Sequence, residues 1–98
     1  MQNSETKPIT LLFDLETTPL NAKRTEIHCI VTHDYETGET TRYNDIGGEE
    51  PIVRAVTYLM DADTIIGHNI IGFDIPVIKK IYPFFEPKGR IIDTLLLS

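Results

Sequence analysis

The segment Ile9 to Glu16 (ITLLFDLE) places the tightest limit on the possible fold. It is almost continuous in apolar and β-favouring residues until Thr17, Thr18 and Pro19 end it. Such a run is typical of a central strand that is buried on both faces of a sheet. A chain of 98 residues is long enough for one small domain only. The sequence therefore predicts a single domain built around a strand over residues 9–16.

Composition and charge exclude several classes of protein. Apolar residues make up 41% of the chain and charged residues 24%, a globular balance that excludes wholesale disorder and collagen. Fifteen acidic residues against nine basic ones give a net charge of −6. This charge argues against a nucleic-acid module whose affinity depends on its own basic surface. An acidic protein can still approach a polyanion through divalent cations held by carboxylates.

The ends and the single cysteine indicate the compartment. Cys29 has no partner for an internal disulfide, and residues 1–8 (MQNSETKP) lack the apolar stretch of a signal peptide. No apolar run approaches the roughly 18 residues of a membrane span. The sequence predicts a cytoplasmic protein with no membrane partner. Residues 1–8 are expected to form a disordered polar leader, and residues 9–98 the folded part.

The other elements follow from the spacing of apolar residues. Alternation predicts strands, and recurrence every three or four residues predicts helices. Further strands are predicted over 26–33, 40–44, 64–68 and 90–93, helices from 49–51 onward and over 73–82, and a first helical turn over 94–98. The order βββαβαβ predicts an α/β fold with a mixed sheet of five strands and flanking helices.

Two carboxylates share one face at the end of the first predicted strand. Successive side chains of a strand alternate, so Asp14 and Glu16 point the same way. One interpretation is a pair of solvated charges at a strand end. In the other, apolar surroundings make their desolvation and mutual repulsion costly unless a cation compensates. Both interpretations stay open on this pattern alone.

A second group of polar residues joins a strand end to a helix start in Gly67 to Asp74 (GHNIIGFD). One interpretation makes Asp74 the N-cap of the helix, Asn69 a turn residue and Phe73 part of the core. However, ligands of open α/β sheets bind beyond the carboxyl ends of central strands. In that interpretation Asp74 converges with the two acids of the first strand.

The stretches FDLETT (13–18) and HNIIGFD (68–74) resemble the first two motifs of the proofreading 3′-to-5′ exonuclease domains of DNA polymerases. Those domains belong to the DEDD superfamily on the ribonuclease H-like fold. TEIHCIVTHDYETGE (25–39) and IIDTLLLS (91–98) are similar to bacteriophage family A polymerases. The resemblance implies a ribonuclease H-like fold, the remainder of a polymerase chain as partner and, for a phage-encoded protein, the host cytoplasm.

The resemblance also implies a two-metal site for Mg²⁺ or Mn²⁺ that hydrolyses nucleotides from a single-stranded DNA 3′ end. Asp14 would bridge both ions, Glu16 would help hold the ion that activates water, and Asp74 would support the second. The residues implied to contact the terminal nucleotides are Thr17, Asn69 and Phe73.

The chain departs from the family at a third motif, in which a Tyr or His precedes an Asp by four residues on a later helix. Tyr58, followed by Ala62, and Tyr82, followed by Glu86, do not fit it. The resemblance therefore implies the N-terminal portion of an exonuclease domain, truncated before the last helices and catalytically incomplete. An unfinished apolar helix over 94–98 makes self-association a further hypothesis.

Two other functions share parts of this pattern. An exoribonuclease of the same superfamily would carry the same motifs and read the 2′-hydroxyl. A non-catalytic fragment with an assembly role would need none of the acids. For the other polar candidates we expect His28 and His33 at the surface, His68 bonded to backbone at a strand end, Cys29 buried as a small apolar residue, and Asp93 as a helix cap.

Overall fold

The structure is a computed structural model that describes residues 7–18, 25–46 and 50–97. In these ranges five strands form one mixed sheet in the order β3-β2-β1-β4-β5. The strands are β1 (Thr10–Thr17), β2 (Ile27–Asp34), β3 (Thr40–Tyr43), β4 (Thr64–Gly67) and β5 (Arg90–Asp93). The helices are α1 (Ile52–Asp61), α2 (Ile75–Ile81) and α3 (Thr94–Leu97), with one π-helix at Ile70–Asp74. The predicted order βββαβαβ is confirmed, and residues 1–6 of the predicted leader lie outside the described residues.

The pairing of the strands brings three strand ends together. β1 is central, antiparallel to β2 and parallel to β4, and β5 extends the sheet parallel to β4. The carboxyl ends of β1, β4 and β5 therefore meet at one edge, which we call the carboxyl edge. β2 and β3 form the predicted hairpin, whose turn uses Gly38 at a φ of 79° that favours glycine.

Only one face of β1 is covered. Leu11, Phe13 and Leu15 are 0%, 6% and 9% exposed, whereas Leu12 is 37% exposed and the two acids of the strand are open to solvent. The prediction that both faces are buried is wrong for the described chain. The physical reason is that α1, the π-helix and α2 contribute their buried side chains to the single core that contains Leu11, Phe13 and Leu15.

Helix α1 closes the core along the predicted apolar stripe. It begins after Pro51, which suits the first turn because it lacks an N–H that could be left unpaired. Its buried positions recur at helical spacing. They are Ile52, Ala55, Val56 and Leu59. None of the helices in the described ranges is long and apolar enough to cross a membrane.

The segment before α2 differs from the prediction. Helical backbone begins at Ile70, three residues earlier than expected, as a π-helix in which the Ile75 N–H donates to the Ile70 carbonyl. Asn69, just before it, has the left-handed conformation (φ 59°, ψ 32°). Gly67 lies under this turn, where a Cβ would collide with Ile70 and lie 3.0 Å from the Phe13 carbonyl oxygen. The tight passage from β4 into the π-helix thus requires a glycine.

Candidate active site at the carboxyl edge

Asp14 and Glu16 lie on the exposed face of β1 at its carboxyl end, as alternation predicts. The neighbouring strand places Val31 opposite Asp14 and Cys29 opposite Glu16. The Cys29 thiol donates to Glu16 Oε1 at 3.5 Å. Cys29 is buried, which confirms that expectation, and it lies on the same face of the sheet as the acids.

Asp74 lies at the junction of the π-helix and α2, and only 6% of it is exposed. Its backbone is helical (φ −62°, ψ −48°), and its side chain makes no capping hydrogen bond. Asp74 thus stands at the N-cap position of α2, as one interpretation expected, but its side chain caps nothing, because the helical backbone already begins at Ile70. Phe73 is half-buried and not a member of the core cluster.

The negative charge of Asp14 acts on Asp74. Burial is the largest of the causes that raise the pKa of Asp74 to about 6, and the negative charge of Asp14 contributes in the same direction. The backbone N–H groups of Leu15 and of Asp74 itself oppose this shift, and the charge of Asp93 adds to it. The structure thus brings the two motifs together at the carboxyl edge, where their carboxylates repel each other.

The donor chemistry fits divalent cations. Asp14, Glu16 and Asp74 offer hard carboxylate oxygens, the ligands that Mg²⁺ and Mn²⁺ prefer. Burial and the neighbouring Asp14 charge both disfavour the ionised form of Asp74 and raise its pKa, and a bound cation would favour that form. Within residues 7–18, 25–46 and 50–97, however, no three His, Cys, Asp or Glu side chains form a ready-made group for one ion. The arrangement is a repelling pair, Asp14 and Asp74, with Glu16 beside it on β1.

The predicted nucleotide-contacting residues border these acids. Asn69 is exposed at the start of the π-helix, and the Phe73 N–H donates to the Asn69 carbonyl at 3.0 Å. Thr17 follows Glu16, and its hydroxyl donates to the Thr18 carbonyl at 3.0 Å. All three side chains thus belong to segments that end at the carboxyl edge.

Asp93 accepts more hydrogen bonds at the carboxyl edge than the sequence indicated. The Leu95 N–H donates to Asp93 Oδ1 at 3.0 Å, which confirms the expected cap. Asp93 also accepts hydrogen bonds from the N–H groups of Asn69 at 2.7 Å and Ile71 at 2.9 Å. Burial alone would raise the pKa of Asp93, but these three donors outweigh it and hold the pKa below its usual range. The only sequence signal was an acid at the end of a strand next to β4.

Known proteins resemble this chain in sequence and in fold. The RNase_H_2 family of the RNase H superfamily matches residues 11–96. The chain belongs to the RNase H superfamily. The DNA-directed DNA polymerase of Enterobacteria phage T3 is 32% identical over 96 residues, which cover 90% of this chain and 13% of that protein. The family B DNA polymerase from the hyperthermophilic archaeon Pyrobaculum calidifontis has the same fold, with a TM-score of 0.66 at 18% identity over 92% of this chain and 16% of that one.

These likenesses confirm the predicted ribonuclease H-like α/β fold and the resemblance to DNA polymerases. The RNase H-like chain spans only 13% of the phage polymerase and 16% of the archaeal polymerase chain. It therefore corresponds to one part of much larger proteins.

The histidines of the RNase H-like domain lie at the surface. His28 and His33 are exposed as expected, and His33 pairs with the Thr40 hydroxyl at 2.8 Å. His68 is exposed near the acids, and its Nδ1 pairs with the Thr94 hydroxyl at 3.1 Å. The expected backbone partner of His68 is thus replaced by a side chain of α3.

Proposed function

We propose that residues 9–98 are the N-terminal portion of a metal-dependent 3′-5′ exonuclease domain that proofreads for a DNA polymerase. The observation that carries the proposal is the pair formed by Asp14 and Asp74. Burial and the Asp14 charge raise the pKa of Asp74 to about 6, so two carboxylates from separate motifs repel each other at the carboxyl edge. A site of this kind gains stability from a cation, and active sites are where such arrangements concentrate.

The residues have distinct roles in this proposal. Asp14, Glu16 and Asp74 would hold the Mg²⁺ or Mn²⁺ ions through their carboxylate oxygens. When bound, such ions activate water and stabilise the leaving oxygen of a phosphodiester. The exposed Asn69 amide binds the terminal nucleotide, and the half-open Phe73 ring stacks on its base without reading sequence. Thr17 contacts the same 3′ end from the end of β1.

Two further facts support DNA as the substrate and the polymerase as the partner. With a net charge of −6, the chain requires cations to approach phosphate. Its 32% identity to a phage DNA polymerase, of which it covers 13%, supports the remainder of a polymerase chain as its partner. A frayed single-stranded 3′ end fits an open edge better than a duplex does.

The first test is hydrolysis of a 5′-labelled single-stranded DNA with Mg²⁺ or Mn²⁺. Because this chain lacks the third motif, we expect at most slow stepwise shortening, which a chelator stops and which Asp14→Asn and Asp74→Asn abolish. Asp61→Asn is the matched control, since the exposed Asp61 carboxylate pairs with Lys88 at 3.1 Å on the end of α1. A matched RNA oligonucleotide distinguishes an exoribonuclease, which would degrade RNA in preference.

The second test measures metal binding without catalysis. A ligand that binds only the folded chain raises its stability by RT ln(1 + [L]/Kd), about 2.7 kcal/mol at 100 times Kd. We expect Mn²⁺ to raise the melting temperature of the parent and of Asp61→Asn but not of Asp14→Asn. If Mn²⁺ leaves the parent unchanged, the metal-dependent function is wrong.

A non-catalytic fragment with an assembly role is the second candidate. It is favoured because the described residues hold no three-ligand group and because Leu95 and Leu96 are 43% and 68% exposed on α3. This candidate predicts self-association through α3. Light scattering at rising concentration would then show a growing mass, and Leu96→Glu would restore the monomer without changing any Mn²⁺ effect.

A further inference from the structure

Asp93 is a buried carboxylate whose acceptor positions are occupied by backbone. It pairs with Gly67 across β4 and β5, and only 4% of it is exposed. Oδ1 accepts hydrogen bonds from the N–H groups of Asn69 and Leu95, and Oδ2 accepts one from Ile71. Bonds to an ionised acceptor are roughly twice as strong as neutral ones. Three of the roughly four acceptor sites of the Asp93 carboxylate are therefore taken by the protein's own backbone.

Two of these donors form a small anion-binding concavity. Asn69 has the left-handed conformation, and its N–H and that of Ile71, two residues on, point at the same carboxylate. Successive backbone N–H groups around a left-handed residue bind anions. That conformation is unfavourable for a residue other than glycine, and least so for Asn or Asp. The Asp93 carboxylate thus supplies the anion that holds Asn69 in this conformation.

The segment from Asn69 to Asp74 is internally tied, so its start and its end move together. The Phe73 N–H donates to the Asn69 carbonyl at 3.0 Å, and the Ile75 N–H donates to the Ile70 carbonyl. Ile70 itself is fully buried. A shift at Asn69 is therefore transmitted to Asp74.

We propose that Asp93 is a positioning residue that fixes the Asn69–Asp74 segment against β5 and thereby sets where the Asp74 carboxylate lies relative to Asp14. Asp93 contacts neither the reacting phosphate nor an ion. The part of this inference that concerns metal binding rests on the proposed function, and the part that concerns the segment rests on the hydrogen bonds alone.

The substitution Asp93→Asn tests the metal-binding part. Asn has the same shape but presents an NH₂ group to one of the backbone N–H groups, which then lacks an acceptor. Removing a group that orients a metal ligand typically lowers affinity about 10- to 100-fold. We expect a loss of this size in Mn²⁺ affinity, measured by titration of the full 98-residue chain.

Asp34→Asn is the matched control. Asp34 Oδ1 accepts hydrogen bonds from the N–H groups of Glu36 at 2.9 Å and Thr37 at 3.1 Å, so the chemistry is the same. Asp34 pairs with Leu11 near the start of β1, at the opposite edge of the sheet. We expect Asp34→Asn to lower the melting temperature and to leave Mn²⁺ affinity unchanged. A purely structural role for Asp93 would make the two variants behave alike.

Amide exchange without metal tests the segment itself. In Asp93→Asn we expect faster exchange at Asn69 and Ile71 and also at Phe73 and Ile75, whose hydrogen bonds lie within the segment. Unchanged exchange at Phe73 and Ile75 would overturn the inference. So would equal Mn²⁺ affinity in the parent and Asp93→Asn when Asp14→Asn has lost it, an outcome that leaves the proposed function intact. If the parent binds no Mn²⁺, the proposed function fails and the exchange rates alone decide the role of Asp93.

Discussion

Asp74 and Asp93 are both buried carboxylates at the carboxyl edge: Asp74 ends the Asn69–Asp74 segment, and Asp93 accepts hydrogen bonds from the start of that segment. Burial and the Asp14 charge raise the pKa of Asp74 to about 6. Three backbone N–H donors instead hold the pKa of Asp93 below its usual range, against the effect of its burial. Burial by itself therefore does not decide the state of a carboxylate. The local donors make Asp93 part of the scaffold, and the local negative charge leaves Asp74 in need of a cation.

The largest effect should come from removing the satisfied carboxylate. Asp93→Ala leaves three backbone N–H groups, two of them from the Asn69–Asp74 segment, without their acceptor. These hydrogen bonds are partly buried and their acceptor is charged, so the loss of all three is destabilising. We expect the melting temperature to fall by about 10 °C or more, measured by circular dichroism. A fall similar to that of Asp34→Ala would mean that Asp93 is an ordinary cap and that the comparison with Asp74 is wrong.

A smaller effect should come from filling the space under the segment. In Gly67→Ala the new methyl group collides with the buried Ile70 side chain and approaches the Phe13 carbonyl oxygen. Overpacking of this kind costs about 1–3 kcal/mol, to be measured by urea unfolding. Gly38→Ala is a useful contrast, because nothing lies within 4 Å of its added Cβ and only the positive φ is unfavourable. Equal Mn²⁺ affinity in Gly67→Ala and the parent would show that the added methyl group disturbs the packing but not the position of the acids.

Replacing Asp74 should change the free energy of unfolding in the opposite direction from replacing Asp93. The pKa of Asp74 rises from 3.8 in the unfolded chain to about 6 in the folded one, so the folded state binds more protons between these values. Its contribution to stability is fully present below pH 3.8 and is lost as the pH rises to about 6. Without metal, Asp74→Asn should therefore be more stable than the parent at pH 7, by about 1 kcal/mol because solvent screens part of the repulsion.

Asp93 should give the reverse pH dependence. Its pKa is lowered on folding, so its contribution is present above the unfolded pKa of 3.8 and is lost as the pH falls through the folded value. Urea unfolding of the parent, Asp74→Asn and Asp93→Asn from pH 3 to pH 7 measures the pH dependence that each of the two acids contributes. A loss of stability in Asp74→Asn at pH 7 would contradict the repulsion that distinguishes the two acids.

The smallest expected effect concerns Glu16, the third acid of the site. The Cys29 thiol donates to Glu16 at 3.5 Å, a long and weak contact. Cys29→Ser keeps a donor of similar size, whereas Cys29→Val removes it. We expect both variants to stay within about 1 kcal/mol of the parent, and Cys29→Val alone to weaken Mn²⁺ binding by a small factor. Identical Mn²⁺ titrations for the two variants would show that Glu16 needs no help from the thiol.

The sequence by itself determined the order of the elements and the placement of the acids along them. Alternation in residues 9–16 put Asp14 and Glu16 on one face, and helical spacing located α1 and the first turn of α3. These patterns depend on side-chain periods of 2 and 3.6 residues, which are local and therefore readable without the fold. The same periodicity made Asp74 look like an ordinary helix cap.

Only the tertiary structure decided the surroundings of those acids. The open face of β1 depends on where the helices pack, and the left-handed Asn69 with its π-helix depends on an acceptor 24 residues away, Asp93. Likewise, the pKa of Asp74 is raised by its burial and by the charge of Asp14, which lies on β1. Burial and Coulomb interactions act through space, and a linear pattern records neither the distance between two charges nor the water removed from them.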